Sequence, residues 1–319
     1  MTARIRSVCI AAIFAAASAT VLNAAQTSFS RIVVFGTSLS DPGNAFALGA
    51  GQNTPPAYDL DTFLVPGAPY ARGGHHFSNG ATWIEQYAQS RGLAGSVRGA
   101  FVSSDPGATN FAIGGARARN FGVTNLSVQV GAFLQRVGGM APSDALYVVE
   151  MGPNDIRDAI AAYAANDIAG GNAILQEAIG AIETSVGMLY GAGARQFLIW
   201  RAPDIGLTPA VLMVGNQAFS DLATSLSFQF NAGLDTAVSG LSGLPGITID
   251  RLDSFTILHA VDTDPGAFGL TNVTSACVTP NIPPFVCSQP DDYLFWDGIH
   301  PTAAGHAILA QQAASVLKQ

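Results

Sequence analysis

Charge is scarce in this sequence, and basic charge is the scarcest. Charged residues make up 11% of the 319 positions, the net charge is -8, and Lys318 is the one lysine. The arginines are scattered, so no basic patch could follow a phosphate backbone, and we expect no nucleic-acid partner. The chain is also 49% hydrophobic, unlike a disordered protein, which is polar and strongly charged.

Long hydrophobic runs are also few. The stretch "VCIAAIFAAASATVL" follows Arg4 and Arg6 and precedes the small residues Ala24 and Ala25. At about 15 residues it fits a cleaved secretory signal, whereas a membrane anchor, the alternative, needs about 20. No later stretch is long and apolar enough to span a membrane. We predict a signal peptide over residues 1–24 and a secreted or periplasmic protein.

Cysteine is nearly absent. Of the three cysteines, Cys9 would leave with the signal, so Cys277 and Cys287 remain. Two cysteines in an exported chain are expected to form one disulfide. It would fasten a proline-rich surface loop, "VTPNIPPFV". A metal site would need more ligands than these two residues provide.

Short apolar runs alternate with longer stretches that have helical spacing. This alternation predicts a parallel sheet covered on both faces by helices, within a single domain over residues 25–319. Five runs are predicted strands: "RIVVF", "NFAIG", "ALYVVEM", "RQFLIW" and "ITIDRL". The predicted helices include "ATWIEQYAQSR", "LSVQVGAFLQRV", residues 172–190, residues 216–239 and "AAGHAILAQQAASVL".

Two long stretches resist this pattern and are interpreted as functional loops, residues 48–80 and 262–296. The first contains His75 and His76. Adjacent histidines are poorly placed to share a metal ion, so we interpret them as the rim of a substrate cleft. His306 lies in the last predicted helix and is interpreted as a structural or surface residue.

Ser38 stands where the first predicted strand ends, in "VVFGTSLSDPGN". Serine, aspartate, proline and glycine are ordinary turn residues, so one interpretation is a plain turn. The other is a nucleophile at the carboxyl end of a strand, where open α/β sheets place their sites.

Asp297 and His300 stand three residues apart in "FWDGIHPTAAGH". Alone, this spacing also fits a helix-start turn with a surface histidine. Together with an exposed serine, the pair would complete a Ser-His-Asp triad. The sequence has no Gly-x-Ser-x-Gly motif, which argues against the α/β-hydrolase fold.

Acyl transfer also needs hydrogen-bond donors for a developing oxyanion. "NFAIGGA" ends a predicted strand in Gly114 and Gly115, and "VEMGPNDI" ends the next before Asn154. Backbone N–H groups at the glycines and the Asn154 amide could serve. Each motif alone also fits a turn.

The four motifs in this order resemble the SGNH or GDSL family of serine esterases and lipases. The corresponding blocks are "FGTSLSDPGN", "NFAIGGA", "GPNDI" and "DGIHPT", and the resemblance spans about residues 31–315. The bacterial secreted phospholipase, lecithinase and haemolysin branch is the most similar. One departure is visible, because Thr37 stands where the family's motif has aspartate.

The resemblance implies roles for named residues. Ser38 would be the nucleophile, His300 the general base and acid, and Asp297 the group that orients the histidine. The oxyanion hole would comprise the Ser38 N–H, the N–H of Gly115 in preference to Gly114, and the Asn154 amide. The implied fold is a three-layer α/β/α sandwich with a flavodoxin-like parallel sheet of about five strands.

The implied activity is hydrolysis of a carboxylic ester through an acyl-enzyme, without metal or organic cofactor. Lipid or phospholipid acyl esters are the favoured substrates. A glycan O-deacetylase or small-ester esterase is the main alternative, and an inactive binding protein on the same fold is the non-enzymatic one. We expect a bacterial monomer that contacts a lipid surface only transiently.

Overall fold

A four-stranded parallel sheet forms the centre of the protein. The structure is a computed structural model that describes residues 29–49, 76–278 and 286–317. The predicted signal peptide and His75 lie outside these ranges, as does most of the segment 48–80. The strands lie in the order β1-β2-β3-β4, and they comprise Arg31–Gly36 (β1), Ala145–Glu150 (β2), Gln196–Arg201 (β3) and Thr248–Asp253 (β4).

The predicted apolar runs form strands because both faces of the sheet are buried. Successive side chains of a strand point to opposite faces. In β1, Ile32 and Val34 pack on one face, whereas Val33 and Phe35 pack on the other. A strand covered on both sides therefore reads as a continuous apolar run.

Helices cover both faces, which confirms the predicted three-layer α/β/α fold. On one face, α2 (Trp83–Ser90) and α9 (Ala303–Val316) pack against the sheet. The other face is covered by α3 (Leu126–Arg136), α4 (Pro153–Ala164), α5 (Ile168–Ala192) and α7 (Gln217–Leu241). Among the described residues, no helix combines the length and apolarity needed to cross a bilayer.

The predicted fifth strand, "NFAIG", forms only isolated parallel bridges, from Asn110 to Val34 of β1 and to Gly99. The Phe111 N–H donates to the Val34 carbonyl at 2.7 Å, as in a regular ladder. The ladder is interrupted at Gly36, because its N–H donates to Oε1 of Gln129 on α3 at 2.9 Å. The Gly36 carbonyl still accepts the Ile113 N–H at 3.1 Å. The segment thus lies beside β1 without continuing as a strand.

Several further elements frame the sheet. The interpretation of residues 262–296 as a loop was wrong in part, because two short parallel strands pair there. The "GPND" turn is also the start of α4. The remaining α-helices and strands of the described residues are α1 (Asn44–Leu48), α6 (Pro209–Leu212), α8 (Ser254–Thr263), β5 (Asn272–Ala276) and β6 (Tyr293–Phe295).

The structure contains the predicted disulfide between Cys277 and Cys287, with a Cα–Cα distance of 4.9 Å. Cys277 packs against the buried side chain of Trp296. The Val278 N–H donates to the Trp296 carbonyl at 3.0 Å. Trp296 directly precedes Asp297, so the disulfide braces the segment that carries Asp297.

Reduction of this disulfide should lower both the stability and the ester turnover of the protein. Closing so short a loop contributes roughly 2–3 kcal/mol in the chain-entropy model. Loss of the brace should loosen the segment next to Asp297. Calorimetry and ester hydrolysis before and after reduction, with thiol titration as the control, measure both effects. Unchanged turnover in fully reduced protein would show that the disulfide does not support the site.

Candidate active site

Ser38 lies two residues beyond the end of β1, in a tight turn closed by the Ser40 N–H donating to the Thr37 carbonyl at 3.2 Å. Ser38 is nearly buried. Its Oγ lies 2.8 Å from Nε2 of His300, a residue 262 positions away in the chain. The turn therefore presents a hydroxyl directly to an imidazole.

Asp297 and His300 form the rest of a hydrogen-bonded chain. Nδ1 of His300 lies 2.7 Å from Oδ2 of Asp297. The other carboxyl oxygen of Asp297 accepts the N–H groups of Ile299 and His300, at 2.9 and 2.7 Å. An ionised carboxylate can only accept, so Nδ1 must carry the proton and Nε2 is left to accept from the serine hydroxyl. This tautomer is the one a serine nucleophile requires.

Helix caps stabilise the segments on either side of this chain of hydrogen bonds. The Thr302 hydroxyl accepts the Gly305 N–H at 3.1 Å and so begins α9 directly after the histidine segment. Thr82 and Glu85 form a capping box at the start of α2. Caps of this kind typically stabilise a helix by about 1 kcal/mol.

The two glycines of "NFAIGGA" have different surroundings. The Gly114 N–H donates to Oδ2 of Asp41 at 2.7 Å. A Cβ at Gly114 would lie 2.2 Å from the Phe77 ring, which itself packs 5.2 Å from the His300 ring. Gly114 is therefore committed to packing and to Asp41. The role of the Gly115 N–H as the glycine donor for a bound oxyanion stays a prediction.

Asn154 lies in the first turn of α4, beyond the end of β2. Its Nδ2 donates to the Ala116 carbonyl at 2.8 Å, and its Oδ1 accepts from Nη1 of Arg157 at 3.3 Å. These two contacts fix which end of the amide is oxygen and which is nitrogen. Asn154 lines the same cavity as Ser38 and His300.

An apolar cavity begins at Ser38 and His300. About 820 Å³ of space lies within it and in front of its mouth, open solvent included. Residues that follow all four strands of the sheet line it, including Ser38, Asn154, Pro203 and Ser254. Sites of open α/β sheets form at these carboxyl ends. The remaining wall is mostly apolar and includes Trp200, Leu258, Val261, Leu294, Ile308 and Leu309.

Two buried carboxyl groups stabilise the turn around Ser38. Burial raises the pKa of Asp41 to about 6 and the pKa of Glu150 to about 7, although hydrogen bonds to both groups oppose the rise. Asp41 accepts the N–H groups of Gly43, Asn44 and Gly114. Sequence reasoning did not single out Glu150. The available signal was a lone charged residue in the apolar strand "ALYVVEM".

His76 and His306 have partners outside the chain of hydrogen bonds from Ser38 to Asp297. Nε2 of His76 lies 2.9 Å from Glu85. Burial lowers the pKa of His76, but the hydrogen bond and charge of Glu85 outweigh this, so the pKa is raised. Burial lowers the pKa of His306 to about 3, and its Nδ1 accepts the Trp83 N–H. His306 is therefore a buried structural residue, and His76 is tied to the start of α2.

No group of three or more histidine, cysteine, aspartate or glutamate side chains within residues 29–49, 76–278 and 286–317 could hold a metal ion. The predicted serine, histidine and aspartate meet in a single chain of hydrogen bonds. The arrangement can move a proton from a hydroxyl to an imidazole beside an apolar cavity.

The family model of the GDSL-like lipases and acylhydrolases matches residues 32–313. The chain belongs to this family. The match runs from within β1 to within α9, so it includes all the site segments described above. It also supports the SGNH-type fold that the sequence resemblance implies.

Two GDSL relatives illustrate the range of the similarity. The chain is 29% identical to esterase EstA of Pseudomonas aeruginosa, in an alignment that covers 97% of this chain and 50% of the relative. It is 24% identical to a phosphatidylcholine-sterol acyltransferase of Aeromonas hydrophila, with 92% of this chain and 91% of the relative covered. The chain thus spans about half the length of EstA and most of the length of the acyltransferase.

Proposed function

We propose that this GDSL family member hydrolyses carboxylic esters through an acyl-enzyme on Ser38. The chain of hydrogen bonds from Ser38 through His300 to Asp297 is the observation that carries the proposal. Such a chain activates a hydroxyl that would otherwise be a weak nucleophile.

In the first half of the reaction, Oγ of Ser38 attacks the ester carbonyl carbon and its proton passes to Nε2 of His300. The carbonyl oxygen becomes an oxyanion, for which the donors are the Ser38 N–H, the Gly115 N–H and Nδ2 of Asn154. Collapse of the tetrahedral intermediate breaks the bond to the alcohol, which takes the proton from His300. Asp297 stabilises the transient imidazolium.

In the second half, water attacks the acyl-enzyme and gives its proton to His300. The carboxylic acid leaves as Ser38 regains its proton. No metal or organic cofactor is required in either half. Each step uses a hydrogen-bond donor or acceptor that the protein itself supplies, so the proposal can be tested by substituting one residue at a time.

We favour lipid or phospholipid acyl esters as substrates. The support is the apolar wall of the cavity, because a long acyl chain gains about 0.8 kcal/mol for each buried methylene group. The relation to a phosphatidylcholine-sterol acyltransferase agrees with this substrate class. Export of the protein remains a proposal, supported by the N-terminal sequence and the disulfide.

Chain-length dependence tests the substrate class. We expect kcat/KM for p-nitrophenyl dodecanoate to exceed that for the acetate, and phosphatidylcholine in vesicles to be cleaved. Leu258→Trp fills the cavity and should lower the dodecanoate-to-acetate ratio by about tenfold or more, since pocket contacts of this size discriminate by 1–3 kcal/mol. Ala260→Trp, on the exposed side of the same helix, is the matched control.

Each outcome of the chain-length experiment has a distinct meaning. A parent protein that prefers acetyl esters, with a ratio unaffected by Leu258→Trp, would favour a deacetylase or small-ester esterase. A parent that hydrolyses no ester would favour a binding protein on the same fold. Either result would overturn the proposed substrate class.

A further inference from the structure

Glu150 is a buried carboxyl group that the proton transfer described above does not use. It is the last residue of β2, and in the sheet register it pairs with Gly36, the last residue of β1. None of its surface is exposed. A carboxyl group buried among apolar strands is costly unless hydrogen bonds satisfy it. Its retention at this position therefore needs an explanation.

The contacts of Glu150 go to both sides of Ser38. Oε2 of Glu150 accepts the Thr37 N–H at 2.8 Å, and Oε1 accepts the Thr37 hydroxyl at 2.9 Å. The Ser40 hydroxyl also hydrogen-bonds to this carboxyl group. Ser40 in turn accepts Nε1–H of Trp83 at 3.0 Å. One carboxyl group thus anchors the residue before Ser38 and the residue two positions after it.

Gly36 makes room for this arrangement. A Cβ at position 36 would lie 2.8 Å from Oε2 of Glu150 and 3.2 Å from Cβ of Ser40. Any larger residue at the end of β1 would therefore displace the carboxyl group or the turn. The close approach of the two strand ends is built around Glu150.

We propose that Glu150 is a positioning residue for the nucleophile. Its carboxyl group, supplied from β2, accepts hydrogen bonds from Thr37, the position at which the family's motif carries an aspartate. Thr37 supplies the matching donors, a hydroxyl and an N–H, so the chain has exchanged a carboxyl group on the turn for one on the neighbouring strand.

The position of the turn around Ser38 affects the rate of the proposed reaction as well as the stability of the protein. Ser38 contributes both its Oγ and its N–H to the proposed reaction, and both depend on the backbone between Thr37 and Ser40. A displacement of about 1 Å at a reacting group can cost about 100-fold in rate. Anchoring the turn on both sides of Ser38 limits such displacement.

A double-substitution cycle at positions 37 and 150 tests the exchange, that is, whether the Glu150 carboxyl group replaces a carboxyl group at position 37. The kinetic measurements of this cycle rest on the proposed function. Thr37→Asp places a second carboxyl group against Glu150, and we expect kcat for p-nitrophenyl butyrate to fall at least 100-fold and Tm to fall. Adding Glu150→Gln should return kcat to within about tenfold of the parent, because one carboxyl group is again present. Glu150→Ala should lower kcat about 100-fold with KM within threefold.

Val186→Ala is the control for general destabilisation, because Val186 is a buried α5 residue in the core on the opposite face from α2. It should lower Tm while kcat stays within threefold. If Glu150→Ala lowers kcat no more than Val186→Ala does, the positioning role is wrong. A double variant no more active than Thr37→Asp would equally overturn the exchange.

The Tm arm of the cycle separates this inference from the proposed function, since it can be repeated in a Ser38→Ala background. A parent without esterase activity would refute the proposed function alone. The exchange would then stand if Glu150→Gln restores the Tm lost in Thr37→Asp, and would fall if the two effects simply add.

Discussion

Replacement of His300 by alanine should lower kcat for a short ester by a factor of about 10⁴ or more, since loss of a triad base removes most of the catalysis beyond transition-state binding. Oγ of Ser38 would lose the acceptor that now lies 2.8 Å away. KM and Tm should change much less than kcat. Steady-state kinetics with p-nitrophenyl acetate, together with calorimetry, measure these effects.

His259→Ala is the matched control for the His300 substitution. His259 pairs with Asp204 at 2.9 Å and does not touch Ser38 or Asp297. Its loss should leave kcat within threefold of the parent. A His300→Ala protein that is folded and retains a tenth of the parental kcat would contradict the assignment of His300 as the general base.

Asn154→Asp should lower kcat by about 100- to 1,000-fold, the usual cost of losing one oxyanion donor. The substitution removes the amide donor and adds negative charge beside a developing anion. It also turns a carboxylate oxygen toward the Ala116 carbonyl, which now accepts from Nδ2. We therefore expect Asn154→Asp to be at least as damaging as Asn154→Ala, with KM nearly unchanged.

The alternative for Asn154 is a purely local role at the start of α4. Aspartate suits turns and helix starts as well as asparagine does, so this role predicts turnover within threefold of the parent in a stable Asn154→Asp protein. Asn216→Asp, at the N-cap of α7, is the control for the same chemical change at another helix start. It should leave kcat unchanged.

The strands were the most predictable part of the fold. In β1 and β2, burial on both faces requires an unbroken apolar run, and such a run is visible in sequence. "NFAIG" has a similar composition, but Gln129, 93 positions from Gly36 in the chain, accepts the Gly36 N–H that would have extended the ladder. Long-range side-chain contacts of this kind leave no local signal.

Helix α4 shows a different limit of prediction from sequence. Gly-Pro-Asn-Asp is good turn chemistry, and proline is equally favoured in the first turn of a helix. The sequence supports both interpretations, and in the structure the segment begins α4 with Pro153. α8 was missed as well, and with it Leu258 and Val261 in the cavity wall.

The residues of the candidate site were predicted from the order of the sequence motifs and not from any regular spacing between them. No periodicity relates Ser38 to His300, which meet only through the fold. Between the two glycines, the choice of Gly115 stays a prediction, and the structure shows only that the Gly114 N–H donates to Asp41. Glu150 was not found, because a single charged residue at a strand end does not reveal that it faces Thr37 across the sheet.

Covalent labelling tests the central claim most directly. A fluorophosphonate probe reacts readily only with a base-activated hydroxyl, so the folded protein should carry one adduct, on the peptide that contains Ser38. His300→Ala should abolish the labelling while Ser38 remains in place. An adduct on any other serine, or none on the folded protein, would contradict the assignment of Ser38 as the nucleophile.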